Sequence, residues 1–97
     1  MKPKMFGIFW YKEEQYMEAL RLFEDGHELP DTYADFLEQA QGGLDHFRAH
    51  GANAVKVEAD IHEVAAWCRA NNHRLDGHGR TAYVNMRLAK MLGILNP

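Results

Sequence analysis

The chain has 97 residues, of which 46% are hydrophobic and 26% charged, with a formal net charge of −3 and a single cysteine. This length and composition exclude a disordered chain and predict one small globular domain over residues 1–97. One cysteine excludes an internal disulfide and a multi-cysteine zinc cage. The apolar run from Met5 to Tyr11 is far shorter than the roughly 20 residues that span a bilayer, and no cleavage pattern follows it. We therefore expect a cytoplasmic protein that does not associate with membranes.

The net charge is unevenly distributed between the two halves of the chain. Residues 1–53 carry ten acidic and five basic side chains, a balance of −5, whereas residues 54–97 carry six basic and four acidic side chains, a balance of +2. Such polarity can guide a partner or a second copy of the chain. Two differently charged solvated surfaces are the favoured explanation, since exposed charge pairs contribute little.

The first half predicts a strand and two helices. The run Met5–Tyr11 lacks strict alternation, which is typical of a strand that is covered on both faces or lies against a neighbouring element. The next segment places Tyr16, Leu20 and Phe23 at helical spacing, and Asp25-Gly26 ends that helix. A second helix begins at Pro30-Asp31-Thr32 and ends at Gly51. Gly42 and Gly43 in its middle predict a kink, a break or a close packing contact.

The second half predicts another strand and two more helices. Val55 and Val57 alternate with polar residues, which indicates a half-buried strand. Asp60 is placed as the N-cap of a third helix, with Glu63 completing a capping box. Cys68 lies on the apolar stripe of that helix, so we interpret it as a buried structural thiol. The last helix begins at about residue 79 and carries the apolar stripe Val84, Leu88, Met91, Leu92 and Leu95.

These elements predict an α+β fold: a short two-stranded antiparallel sheet in a β-α-α-β unit, followed by two further helices. The antiparallel order rests on the first two helices forming an up-down hairpin. Two strands leave open edges, and Tyr83, Met86 and Ala89 lie outside the stripe of the last helix. We therefore expect a homodimer. The alternative is a monomer whose last helix is buried between the third helix and the sheet.

Six histidines raise the question of a metal or catalytic site. His46 and His50 form the only i, i+4 pair, but zinc requires three or four ligands, so we predict no metal site. His62, His73, His78 and Arg80 could line a pocket of a small ligand-binding protein or enzyme. Within it, His73, His78 and Arg80 are the candidate ligand-binding residues, since two glycines precede a helix there. No catalytic motif or cofactor fingerprint is present, so we assign no catalytic residue and no cofactor.

A third hypothesis concerns the basic side chains Arg80, Arg87 and Lys90, which share one face of the last helix. Such a face could contact phosphates and make the protein a nucleic-acid-associated accessory protein. The acidic chain and the lack of a known reading motif favour a solvated face instead.

The order of the features also resembles that of a group of short bacterial proteins with no assigned activity. The similarity rests on the segments 29–37, Leu-Pro-Asp-Thr-Tyr-Ala-Asp-Phe-Leu, and 55–69, Val-Lys-Val-Glu-Ala-Asp-Ile-His-Glu-Val-Ala-Ala-Trp-Cys-Arg, and it spans roughly residues 12 to 90. The resemblance implies a self-contained accessory or regulatory domain and supplies no site residue. The sequence thus favours a non-enzymatic interaction or binding module that self-associates or binds a protein partner.

Overall fold

The computed structural model of the chain describes residues 5–93, so Leu95 of the predicted last helix lies outside the described residues. Within these residues, two strands and four α-helices follow one another. They are β1 (Met5–Tyr11), α1 (Tyr16–Leu22), α2 (Tyr33–Ala49), β2 (Asn53–Ala59), α3 (Ile61–Ala70) and α4 (Gly77–Met91), with short 3₁₀ turns at Glu13–Gln15 and Gly26–Glu28.

The two strands pair in parallel, with Met5 opposite Asn53 and Tyr11 opposite Ala59. The helix-rich α+β class and the two-stranded sheet are confirmed, but the predicted antiparallel order is wrong. Its premise, an up-down helix hairpin, fails because α1 is only about 10 Å long and remains beside the end of β1. Only α2, about 25 Å long, returns along the strands. A single return pass delivers β2 parallel to β1.

Helices cover both faces of the sheet. On one face, Val84 and Leu88 of α4 pack against Val57 of β2. This contact depends on Gly7 of β1, because an added Cβ would overlap Val84 and lie 3.0 Å from Leu88 Cδ1. The other face packs against α2, which contributes Phe36 against Trp10, at 5.7 Å between ring centroids, and Phe47 against Phe6, at 4.9 Å.

The main core lies at the carboxyl end of the strands, where α1, α3 and α4 meet. Asp60 caps α3 as predicted, since its side chain accepts bonds from the backbone N–H groups of His62 and Glu63. Gln15 completes this cap by donating to Asp60 and accepting from the N–H of Ile61. The buried side chains of this core include those of Tyr11, Tyr16, Phe23, Ile61, Val64, Cys68 and Tyr83.

Two sequence expectations change in the helices. The helix α2 continues without a break through Gly42 and Gly43, and apart from the backbone of the helix itself nothing lies within 4 Å of an added Cβ at either position. Less apolar surface of α4 is exposed than the sequence predicts, because Tyr83 is buried and Met86 packs against the main core. Exposed apolar side chains on α4 are confined to its end, at Met91 and the following Leu92.

Within residues 5–93, no helix combines the length and apolarity required to cross a bilayer.

The contrast between the glycines gives a stability prediction. We expect Gly7→Ala to lower the free energy of unfolding by about 1–3 kcal/mol, because the methyl group forces α4 away from the sheet. Gly42→Ala should instead raise it by about 1 kcal/mol, since alanine favours helix and nothing obstructs it. Urea unfolding of the two variants measures both changes, and a Gly7→Ala protein as stable as the parent would contradict the close packing of α4.

Candidate functional site

The two edges of the sheet differ in how their backbone carbonyls are satisfied. On β2, the Arg48 guanidinium donates two bonds to the carbonyl oxygen of Ala54, at 3.2 and 3.1 Å. Arg87 donates a longer bond of 3.4 Å to the carbonyl oxygen of Glu58. Arginine side chains therefore occupy the outer edge of β2.

The outer edge of β1 lacks this protection over most of its length. Because Ala54 and Glu58 face away from β1, the parallel register directs the intervening backbone groups of Met5, Gly7 and Phe9 outward. Tyr11 continues this series, and its carbonyl oxygen accepts a 3.0 Å bond from the Tyr33 hydroxyl. Within residues 5–93, no backbone hydrogen bond from another element reaches Met5, Gly7 or Phe9.

This open edge lies at the base of a groove, which we call the edge groove. A cavity of about 240 Å³ separates the edge from α4, and one of about 300 Å³ separates it from α2 and the preceding loop. The α4 wall consists of Thr81, Val84 and Asn85, whereas the α2 side consists of Ile8, Leu29, Pro30, Phe36, Gln39 and Ala40.

Arg80 lies at the end of the edge groove that is next to the carboxyl end of β1. It lines both cavities of the groove. Its guanidinium donates to both carboxylate oxygens of Asp25, at 2.8 and 2.6 Å, and lies 4.8 Å from the centre of the Phe23 ring. The bonds from Arg80 hold the pKa of Asp25 below its ordinary range, although partial burial acts in the opposite direction. The pair is thus a fixed, charge-neutral element at this end of the site.

Tyr11 lines the same end of the groove and carries an unsatisfied polar group. Its side chain is 3% exposed, and its hydroxyl has no hydrogen-bond partner within residues 5–93. Burial raises the pKa of Tyr11 well above its ordinary value, against the opposing charge of Arg80. The hydroxyl therefore stays protonated and retains an unused capacity to donate a bond.

An acidic pocket adjoins the edge groove at its carboxyl end. This cavity of about 480 Å³ is lined by the carboxylates of Asp25, Glu28 and Asp76 together with Gly77, His78 and Thr81. Asp25 is neutralised by Arg80, whereas Glu28 is exposed. The pocket consequently places negative charge where β1 ends.

The four residues of the predicted ligand pocket do not meet in one place. His78 lines the acidic pocket and Arg80 the edge groove, so these two flank neighbouring cavities. His62 instead lies 3.0 Å from Glu18 of α1, and His73 stacks on Trp67 at 5.3 Å between ring centroids. The structure thus places His78 and Arg80 at neighbouring cavities and His62 and His73 elsewhere.

The predicted basic face is also divided. Arg80 is buried in its ion pair, whereas Arg87 and Lys90 lie further along α4. Arg87 donates a 3.1 Å bond to the Tyr83 hydroxyl as well as contacting β2. Of the three cations, only Lys90 is exposed.

Sequence reasoning missed the residues that define the groove. In the sequence, Asp25 indicates only the end of a helix, and neither Tyr11 nor Gln39 stands out as a site residue. An acid next to a glycine gives no sign that its partner lies 55 positions away. The aromatic end of β1 was the one available signal, because a tyrosine at a strand end brings a hydroxyl into a packed region.

Cys68 is fully buried, and burial raises the pKa of its thiol. Among residues 5–93, no three His, Cys, Asp or Glu side chains form a group that could hold a metal ion.

Comparisons of the chain with family models, curated proteins and solved structures give no match.

The unsatisfied Tyr11 hydroxyl predicts an unusual response to substitution. We expect Tyr11→Phe to leave the free energy of unfolding unchanged or to raise it by up to about 1 kcal/mol, because no bond is lost. Tyr16→Phe is the matched control: its hydroxyl donates to the Pro30 carbonyl at 2.6 Å, and its loss should cost about 1 kcal/mol. Equal losses in urea unfolding would show that Tyr11 has a bonding partner.

The Asp25–Arg80 pair predicts a pH-dependent stability. The pKa of Asp25 is lower in the folded than in the unfolded chain, so its contribution is present above about pH 4 and is lost as the pH falls further. Asp25→Asn should cost about 3 kcal/mol at pH 7, because Arg80 remains without its counter-charge. The difference from the parent should shrink in acid, whereas an offset that is constant with pH would contradict this assignment. Asp31→Asn, at an exposed site, provides the control.

Proposed function

We propose that this protein is a non-catalytic interaction module that self-associates through the open edge of β1. The observation that supports the proposal is the contrast between the two edges, since arginines occupy that of β2 and an unfilled groove surrounds that of β1. An edge strand offers unpaired N–H and C=O groups to another strand, and strand addition is a recurring mode of protein recognition. The occupant that we propose is β1 of a second copy.

A two-fold axis through the middle of the edge provides the pairing. The outward residues Met5, Gly7 and Phe9 are centred on Gly7, so an antiparallel second copy places its Gly7 opposite Gly7 and its Phe9 opposite Met5. The two sheets then join into one sheet of four strands. Side chains of the added strand alternate between the α4 cavity and the α2 cavity of the edge groove.

The exposed aromatic group of β1 complements the groove in this arrangement. Phe6 is 37% exposed although it stacks on Phe47. In the antiparallel pairing, Phe6 of the second copy lies opposite Ile8, which lines the cavity on the α2 side. The axis repeats this contact, so each copy covers the exposed aromatic of the other. Burial of apolar surface on both sides stabilises such a dimer.

Charge supports the same orientation. In the antiparallel pairing, the amino-terminal end of the second copy's β1 points toward the acidic pocket beyond Tyr11. The sequence immediately before β1 contains two lysines, Lys2 and Lys4, opposite in charge to Glu28 and Asp76. Complementary charge at the rim of an interface favours association and fixes its register.

The proposal assigns no catalytic residue and no cofactor. The groups that could support chemistry have other contacts: Arg80 is paired with Asp25, His62 with Glu18, and the Cys68 thiol is buried. These contacts support a role in binding rather than in bond making and breaking.

Sedimentation over a wide range of protein concentrations tests the proposal. The parent protein should show a reversible monomer–dimer equilibrium. Gln39→Arg places a long charged side chain on the wall of the edge groove and should shift the equilibrium to monomer. Gln41→Arg is the matched control, because Gln41 is an exposed glutamine of the same helix that bonds to Asp45 away from the groove.

Dimerisation of the parent and of Gln41→Arg, combined with a monomeric Gln39→Arg, supports pairing at β1. A parent protein that remains monomeric at every concentration overturns the proposal and leaves the groove to a strand from another protein. Equal dimerisation of the two arginine variants also overturns it, because the interface must then lie elsewhere. Circular dichroism of each variant confirms that the fold is intact.

A further inference from the structure

His46 and His50 form a side-chain cluster that the edge groove does not use. Both are exposed at the carboxyl end of α2, and their ring centroids lie 4.4 Å apart. Positions four apart in a helix share one face, and here the two imidazoles are in contact rather than merely on the same side. We propose that this pair binds a borderline divalent transition-metal ion, with copper(II) preferred, at one ion per chain.

A hydrogen bond prepares His50 for this role. Its Nδ1 lies 2.8 Å from the backbone carbonyl oxygen of His46, and a carbonyl oxygen only accepts, so Nδ1 carries the proton. In the neutral ring the lone pair then resides on Nε2, the nitrogen left to coordinate a metal. A ring N–H fixed on a carbonyl is the usual outer-shell partner of a metal-binding histidine, because it sets the tautomer and the ring orientation.

The surface beside His46 is unobstructed. Helical side chains lean toward the preceding turn, and the residues of that turn nearest to His46 are Gly42 and Gly43. Neither has a neighbouring atom within 4 Å of an added Cβ. Space is therefore available for the water molecules that complete the coordination of an ion held by two imidazoles.

The donor set determines which ions the pair accepts. Imidazole nitrogen suits copper, nickel and zinc, whereas magnesium and calcium require oxygen ligands. Two imidazoles and water impose little geometry of their own, so affinity should follow the general order in which copper(II) exceeds both nickel(II) and zinc(II). The site does not require self-association, because both imidazoles belong to the same chain; His46 lies about 10 Å along α2 from Gln39, and its ring also contacts Phe47.

Calorimetric titration of tag-free protein with copper(II) chloride tests the proposal. We expect one ion per chain, and a loss of affinity of about tenfold or more for His46→Ala and for His50→Ala. His27→Ala is the matched control, because it removes an exposed histidine in the turn after α1 and should bind as the parent does. Nickel(II) should bind the same residues more weakly.

Electron paramagnetic resonance of the copper-loaded parent provides a readout that does not depend on any variant. Coupling to two imidazole nitrogens supports the site, whereas coupling to one or none overturns it. Equal copper affinity of the parent and the His46→Ala/His50→Ala double variant also overturns it, as does a ratio of one ion per two chains. Failure of self-association at β1 leaves these outcomes unchanged, so the two proposals fail separately.

Discussion

The part of the structure at the carboxyl end of the strands depends on the ion pair between Asp25 and Arg80. This ion pair joins the turn after α1 to the start of α4, 55 positions apart, at the point where the main core meets the edge groove. The neighbouring Glu24 reinforces the junction, since its carboxylate accepts bonds from Arg74 and from the backbone N–H of Leu75. A buried pair of this kind is not a large net source of stability, because desolvation offsets much of the attraction. Its effect is positional, since neither partner can leave without exposing an unpaired charge to an apolar environment.

A parallel sheet of two strands constrains the rest of the molecule. Parallel strands are normally covered on both faces, and here one helix on each face provides that cover. Close approach of α4 requires Gly7, where any side chain would displace Val84. Because a two-stranded sheet has no central strand, both strands are edge strands. Arg48 and Arg87 donate to two carbonyl oxygens on the edge of β2, whereas the edge of β1 lies at the base of a groove, so the open edge of β1 follows from the small size of the sheet.

Local signals made much of the fold predictable from the sequence. The apolar run at β1, the cap at Asp60 and the apolar stripe that contains Cys68 each act within a few residues, and each is confirmed. The strand direction was not predictable in this way, because it depends on whether α1 is long enough to make a full pass. Periodicity around Tyr16 and Phe23 indicates a helix but does not reveal that the regular part ends at Leu22. The edge groove was still less accessible, since its residues are brought together only after the strand direction is set.

The fold requires glycine at one position of the sheet but not at two positions of α2. Gly7 has a packing reason, and its replacement is opposed by three neighbouring side chains. Gly42 and Gly43 have no such neighbours within the described residues, yet each lowers helix stability by about 1 kcal/mol relative to alanine. For a domain whose total stability is about 5–15 kcal/mol, two such positions in its longest helix are a substantial cost that packing does not offset. Their physical consequence is a helix surface without side chains on the turn that precedes His46.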